Sequence, residues 1–381
     1  MCINTSKEIY ISGYYYQETS FKNLTLVPNK GKGAEIFVAK IDSSGNPLWI
    51  NCINGVSWEM INDMKCDKNE NIYVVGRFES PEVYFGDTIL INNNLDTTKF
   101  DMFIVRYNSS GNTIWVKKLG DAMNETGEVL SIDKDDNILI TGNFEGYTFN
   151  FNDTILFGGA GCQNSFAIKF DSSFNRIWGK SFGGYNNNAA RSMTTDPYGN
   201  TYISGIYAFS LSVDGFIINS VGALDDFIAR IDSSGKVDTL FNVGGEGYES
   251  ITEMDFDSFG NLIIAGQTKS PTIEFGDFII YNDSIETNDL FIAKFVFLSN
   301  ITNCLTSSNF NIFPNPASQS FTVDIESNDC DIQIFDTNGK NVKQISEYNG
   351  EQISISDLSK GIYFVKLLSN GKTSVGKLVV E

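Results

Sequence analysis

The sequence predicts an all-β protein in two parts. A β-propeller of repeated units covers residues 1–298, and a small Ig-like antiparallel β-sandwich covers 311–381, with a linker at 299–310. Three observations predict it. The phrase FVAKIDSSGNPLW at 37–49 returns as FIVRYNSSGNTIW at 103–115, FAIKFDSSFNRIW at 166–178 and FIARIDSSGKVDT at 227–239, and breaks off as FIAKF at 291–295. Helical periodicity is missing throughout. After residue 295 the period stops, and a segment with its own alternating strands and turns begins.

The opening Phe of the phrase falls at 37, 103, 166, 227 and 291, so five repeats are visible. Self-similarity at a fixed step of roughly 60 residues marks stacked supersecondary units. A second phrase keeps the same step and ends at Gly13, Gly76, Gly142, Gly205 and Gly266 (EIYISG, NIYVVG, NILITG, NTYISG, NLIIAG). Its strand runs are short, branched or aromatic, and apolar on both faces, as expected for sheets covered front and back. Asp-rich turns precede most of them (DKNEN, DKDDN, DPYGN, DSFGN). In these turns Asp accepts local backbone hydrogen bonds, and Gly or Asn is expected to supply positive φ. A third phrase, VYFGDTIL, FNFNDTIL and IEFGDFII, recurs between the other two. Four strands per unit, repeated, read as propeller blades. Trp49, Trp115 and Trp178 recur in register, so they are expected to pack between units, because one sheet cannot bury both of its faces alone. By the same logic, binding residues belong where copies differ. Arg77, Arg191, Cys162 and the insertion at 95–99 are each unique to one copy.

MCINTSKEIYISG aligns with MKCDKNENIYVVG, so the chain opens inside a repeat. Two expectations follow: the partial last sheet completes the first, or an N-terminal portion with its signal peptide precedes Met1.

Composition narrows the function classes. The net charge of −20, from 27 Lys plus Arg against 47 Asp plus Glu, disfavours nucleic acid and anionic membrane surfaces as partners. The absence of His removes the usual general base and the commonest metal ligand. No apolar run approaches the ~20 residues of a transmembrane helix. The six Cys are scattered without zinc or redox spacing and read as buried thiols, with a Cys304–Cys330 disulfide as the alternative. Asp133, Asp135 and Asn137 have the D-x-D-x-N spacing of a calcium loop but lack its Gly and distant Glu, so a plain turn competes.

The repeated set D-x-x-G-N-x-Y-x-x-G and F-x-x-K-x-D-x-x-G-x-x-x-W resembles the bacterial SBBP-type β-propeller repeat over residues 1 to 298. AKIDSSGNPLW at 39–49 also resembles a quinoprotein dehydrogenase blade, without that family's cofactor-site residues, and no cofactor is expected. The C-terminal segment is similar to the type A sorting domain of type IX secretion cargo in Bacteroidetes. Its matching residues are Phe313, Pro314, Asn315 and Pro316, the turn carrying Gly339 and Lys340, the element with Gly361 and Tyr363, and Lys377. That resemblance implies recognition by an outer-membrane translocon and an extracellular or surface location. Asp-Thr/Ser-aliphatic triplets at Thr88, Thr154 and Ser284 resemble O-glycosylation sites of exported Bacteroidetes proteins.

The expected function is non-enzymatic binding of a glycan or protein by the propeller loops. The alternatives are a quinoprotein-like or lyase-like enzyme and a purely structural surface protein.

Overall fold

The computed structural model describes residues 1–4, 6–22, 24–27, 35–92, 99–120, 123–151, 154–158, 163–184, 187–258, 260–275, 278–282, 287–295, 310–324, 330–336, 341–369 and 372–381. The described residues contain strands, turns and no helix. They divide into two compact units, 1–259 with 263–293, and 294–381 with 260–262.

In the repeat unit each copy is an antiparallel meander. The second copy runs Glu59–Cys66, Ile72–Phe78, Asp101–Tyr107 and Thr113–Leu119. The third runs Glu125–Ile132, Ile138–Glu145, Gln163–Phe170 and Arg176–Gly184. The fourth runs Asn188–Thr195, Thr201–Tyr207, Asp225–Ile231 and Val237–Val243. The first copy opens on a strand of only two residues, Cys2–Ile3, and the fifth sheet has three strands. The first strand of each later sheet lies against the first three strands of the sheet before it. Side chains bond across this junction: Asn62 donates to the Gly127 carbonyl at 2.7 Å, and Leu130 N–H donates to Asp63 at 2.9 Å.

The two recurring phrases meet in this architecture. Gly13, Gly76, Gly142 and Gly205 lie directly opposite Phe37, Phe103, Phe166 and Phe227 on the third strand. None of these glycines has positive φ. Their requirement is space. On the other side of each, the first strand carries a β-bulge, at Asn62, Glu128 and Arg191 in the second, third and fourth sheets. A Cβ on Gly76, Gly142 or Gly205 would run into the backbone carbonyl of Met60, Thr126 or Ala189. On Gly13, Gly76, Gly142 and Gly266 it would also meet the repeated Phe ring, at 2.6 to 3.0 Å.

The turns follow the sequence expectation with one correction. In DSSGN, the Asp42 carboxylate accepts the N–H groups of Ser44 and Asn46 at 2.9 and 2.7 Å, and the Asn46 side chain at 3.0 Å. The Asp67, Asp133, Asp171 and Asp196 turns repeat this pattern. Positive φ falls on the fourth residue only: Gly45, Gly111, Gly199 and Gly235, but also Glu70, Asp136 and Phe174. The Asn at the fifth position supplies a donor to the Asp and does not carry the left-handed conformation.

Trp49 and Trp178 pack on the following unit's turn, over Gly111 and Gly235, and the Trp49 indole donates to the Ser109 carbonyl at 3.1 Å. The third copy has Phe174 where those turns have Gly, and Trp115 meets its ring at 5.0 Å between centroids. Phe174 holds φ 67° while stacked on Phe170 at 4.2 Å.

The third phrase forms hairpins between the second and third strands, an addition to the expected four strands. Glu82–Phe85 with Thr88–Ile91 joins the last strand of the first sheet through Ile53 and Phe85. In the fourth copy, which the phrase did not mark, Ser210–Val213 with Phe216–Asn219 makes the corresponding hairpin and joins the last strand of the third sheet. These hairpins tie neighbouring sheets by backbone hydrogen bonds.

The C-terminal unit has a four-stranded sheet, ordered Asn341–Tyr348, Cys330–Phe335, Gly361–Ser369, Lys372–Val380, and a three-stranded sheet of Ile312–Phe313, Ser320–Val323 and Ile353–Ser354. Its core holds Phe321, Val323, Ile332, Ile334, Tyr363, Val365, Leu367, Leu378 and Val380. Tyr363, Val365 and Leu367 point inward, and Ile362 is exposed.

Gly142→Ala is expected to cost about 2–3 kcal/mol, because the atom in the way is backbone. Gly179→Ala, whose Cβ would meet its nearest neighbours at 3.3 to 3.9 Å, is expected to stay within about 0.5 kcal/mol of wild type. Urea unfolding of both variants measures the difference, and equal stabilities would refute the packing argument.

Candidate functional site

The end of the sheets where first strands begin and second strands finish carries recurring buried acids. Glu59, Glu125 and Glu249 open first strands, with Asn188 in the fourth copy, and Glu35, Asp101 and Asp225 open third strands. All are buried. Two are anchored the same way: Ser80 hydrogen-bonds Glu59, and Ser270 hydrogen-bonds Glu249. Ser80 Oγ in turn accepts the Val56 and Ser57 N–H groups at 2.7 and 2.8 Å.

Around Glu59 the copies diverge most in chemistry. Trp58, Glu59, Met60, Arg77 and Glu79 line a cavity of about 390 Å³. Trp58 stands where the later copies have Asn124, Asn187 and Tyr248, and Arg77 stands where the others have Tyr14, Asn143, Ile206 and Gln267. The Tyr16 ring meets Trp58 at 6.2 Å and Tyr14 at 5.7 Å, both edge to face. The three rings are 60%, 52% and 69% exposed for Tyr16, Trp58 and Tyr14 respectively. Exposed aromatics in mutual contact are costly to leave in water, and such a patch beside a cavity marks a contact surface. The Arg77 guanidinium lies 4.3 Å from the Phe100 ring centroid. Glu59 Oε1 is held by Ser80, and Glu59 Oε2 has no hydrogen-bond partner. Burial pushes the Glu59 carboxyl up to about 7, with Ser80 opposing and Glu35 and Glu79 adding to the rise.

Arg77 was legible as unique to one copy. Trp58 was not singled out, although it is the one Trp of four outside the repeat register. Arg191 is a bulge residue of the fourth sheet. Cys162 and residues 95–98 lie outside the described residues.

The calcium-loop residues form a turn. Asp133 accepts the Asp135 and Asn137 N–H groups and the Asn137 side chain, each at 2.9 Å, and the Lys169 ammonium at 2.8 Å. Burial works against its charge, but Lys169 and Asn137 outweigh it and hold the pKa below the usual carboxylate range. A cation there would have to displace Lys169, so the turn reading replaces the calcium one. Among the described residues no cluster of three or more His, Cys, Asp or Glu is placed to hold a metal. Thr88 is exposed at the start of its strand. Thr154 opens the equivalent strand, its side chain outside the described set, as Ser284 is altogether.

In the C-terminal unit the motif residues form one device. Asn315 accepts the Val379 N–H at 2.9 Å and donates to the Lys377 carbonyl at 2.5 Å. Ala317 continues the clasp, donating to Val379 and accepting from Glu381 at 2.8 and 2.9 Å. Phe313–Pro314 and Asn315–Pro316 are cis. Tyr363 donates to the Ser359 carbonyl at 2.8 Å, pinning the turn before Gly361. Gly339 and Lys340 lie outside the described residues.

These features define an exported all-β repeat protein with an address at its C-terminal end. Residues 311–381 match the family described as the secretion system C-terminal sorting domain, which makes the chain a secreted or cell-surface cargo that engages the type IX machinery. Over 358 residues the chain is 24% identical to a WD repeat-containing protein of Acanthamoeba polyphaga mimivirus, covering 76% of this chain and 26% of the relative. It is 26% identical to an endo-acting ulvan lyase of Formosa agariphila over 109 residues, 27% of this chain and 21% of the relative. The chain thus spans about a quarter of the length of the curated relatives it matches. Among solved structures it is similar to PorZ, a surface component of the type IX secretion system of Porphyromonas gingivalis, with 11% identity, TM-score 0.23, and 92% and 69% of the two chains covered. An extracellular domain from B. thetaiotaomicron gives 11% identity, TM-score 0.21, and 99% and 59% coverage. Among the described residues no helix is long and apolar enough to cross a membrane.

The raised Glu59 pKa has a consequence for stability. Between about 4.5 and 7 the folded protein keeps a proton that the unfolded chain has released, so stability falls as pH rises through that window. Glu59→Gln is expected to remove a loss on the order of 3 kcal/mol between pH 4.5 and 8. Urea midpoints at both pH values, compared with wild type, test this; parallel pH profiles would show that Glu59 is ionised in the folded state.

Proposed function

We propose that this cargo is a β-propeller acting as a non-enzymatic binding module for a neutral glycan. The carrying observation is the exposed ring cluster of Tyr14, Tyr16 and Trp58 beside the cavity lined by Glu59, Arg77 and Glu79. Sugar rings present C–H faces that pack on aromatic π-faces, while their hydroxyls seek polar side chains at the rim. Trp58 and the tyrosines supply the faces, and Arg77 and Glu79 supply the polar rim. The net charge of −20 favours an uncharged polysaccharide over an anionic one.

The propeller reading is supported by the meander order of the sheets and by the nesting of each first strand on the preceding sheet. Convergence supports it too: Glu253 on the fifth sheet lies within electrostatic reach of Asp63 and Lys65 on the second. An enzymatic alternative draws on one observation, the Glu59 carboxyl near neutrality, which suits a general acid.

A glycan array probed with the full chain should return neutral polysaccharides. Trp58→Ala should weaken binding at least tenfold, about 1.4 kcal/mol. Binding that survives Trp58→Ala unchanged removes the ring cluster from the site, and turnover of the bound glycan, lost in Glu59→Gln, would establish the enzyme instead.

The sorting role has its own test. Residues 300–381 fused behind a signal peptide and a fluorescent reporter should reach the surface of a host with type IX machinery. Asn315→Ala, or deletion of 377–381, should leave the reporter in the periplasm. A periplasmic intact fusion, with a known cargo domain exporting the same reporter, would reject the assignment.

A further inference from the structure

The first strand of the first sheet holds only Cys2 and Ile3, paired with Tyr10 and Ile9. It lies against Glu59–Cys66, the first strand of the next sheet. At this contact the Cys66 thiol reaches the Ile3 carbonyl at 3.4 Å. The Cys2 and Cys66 side chains are themselves within hydrogen-bonding reach of each other. Both residues are partly accessible. We propose that Cys2 and Cys66 form a disulfide once the protein is exported, stapling the short opening strand to the second sheet.

The chemistry balances as thiol–disulfide exchange with an oxidant of the disulfide class, such as a periplasmic dithiol oxidase or oxidised glutathione. The Cys66 thiolate attacks the oxidant's disulfide and releases one of its sulfurs as a thiol. The Cys2 thiolate then displaces the second oxidant sulfur from Cys66. Two thiol protons leave, and the two electrons end on the oxidant, now a pair of thiols. The contact sets the order of attack. The side-chain contact with Cys2 holds the Cys66 thiol below its ordinary value, and the same contact, with burial, raises Cys2. Cys66 is therefore the nucleophile and Cys2 the resolving thiol. Export supplies the setting, since structural disulfides persist outside the reducing cytosol. The bond would add a covalent tie to the pairing of Cys2 with Tyr10 and Ile3 with Ile9.

The test treats the purified full chain with oxidised glutathione, alkylates the remaining thiols, digests with trypsin and analyses the peptides by mass. Peptides 1–7 and 66–68 should appear joined and two hydrogens lighter than their sum, and should separate on reduction. Cys52→Ser should leave the joined species intact, while Cys2→Ser and Cys66→Ser should each abolish it. Reduction of the wild-type protein should lower the melting temperature by about 5 °C, and reduction of Cys2→Ser should not. Recovery of Cys2 and Cys66 separately alkylated or separately glutathionylated would overturn the proposal, as would either thiol joined to another cysteine.

Discussion

The repeat unit depends on one close approach. On each second strand a glycine meets a carbonyl of the first strand, the phenylalanine ring of the third, or, at Gly76, Gly142 and Gly266, both. The bulge pushes the first strand's carbonyl toward the glycine, and bulges increase local twist. That twist lets the first strand of one sheet nest on three strands of its neighbour. The Phe ring fills the space a side chain would have taken, so glycine and phenylalanine recur as a pair. Neither could drift without the other, which accounts for two phrases some 25 residues apart keeping the same step.

The same reasoning shows which parts of the fold were legible in the sequence. Residues with a fixed local duty, such as the turn Asp, the glycine, the Phe and the Trp, announce themselves by recurring. Long-range pairings do not. The Glu82–Phe85 hairpin bonds to Ile53, in the preceding copy, and nothing in VYFGDTIL names that partner. Strand parity was ambiguous where both faces are apolar. In GIYFVKLL either alternate set could face inward, and the packed unit selects Tyr363, Val365 and Leu367 because Tyr363 must also reach Ser359. Phe174 shows tertiary contact overriding a turn rule, since stacking on Phe170 and Trp115 holds a left-handed backbone that the other turns give mostly to glycine.

Charge is handled by repetition as well. The basic residue of the first phrase, Lys40, Arg106 or Lys169, reaches back to an acid of the preceding turn. In the first copy that turn carries Asn4 and Glu8 where the others carry Asp and Asn, and Lys40 pairs with Glu8 at 2.7 Å. The carboxylate has moved four residues, and the buried cation remains matched. At the opposite end Lys118 pairs with Asp101 at 2.9 Å, while Glu59 and Glu249 are held by serine hydroxyls. Burial raises Glu59 and Glu249 and, most of all, Asp226. That end holds carboxyls whose hold on the proton burial strengthens, with exposed rings beside Glu59, so it is where a repeat built for packing retains chemical capacity. The candidate site was hard to see in the sequence because Trp58 and Tyr16 come from different copies and meet only when two sheets stack.

The sorting unit resolves a puzzle that its motif poses in one dimension. F-P-N-P opens the segment and K-L-V-V closes it, 60 residues apart, yet they act together. Asn315 bonds the backbone at 377 and 379, and Ala317 bonds that at 379 and 381. The final strand is therefore paired on one side by Gly361–Ser369 and clasped on the other by the opening motif. An edge strand left open would invite pairing with other chains. The clasp covers that edge at residues 377–381. A shift of Val379 by one position would turn its N–H away from Asn315 and reverse the inward faces of Leu378 and Val380. The placement of Lys377–Glu381 and the identity of the opening motif are thus one constraint, imposed by the register of a single strand.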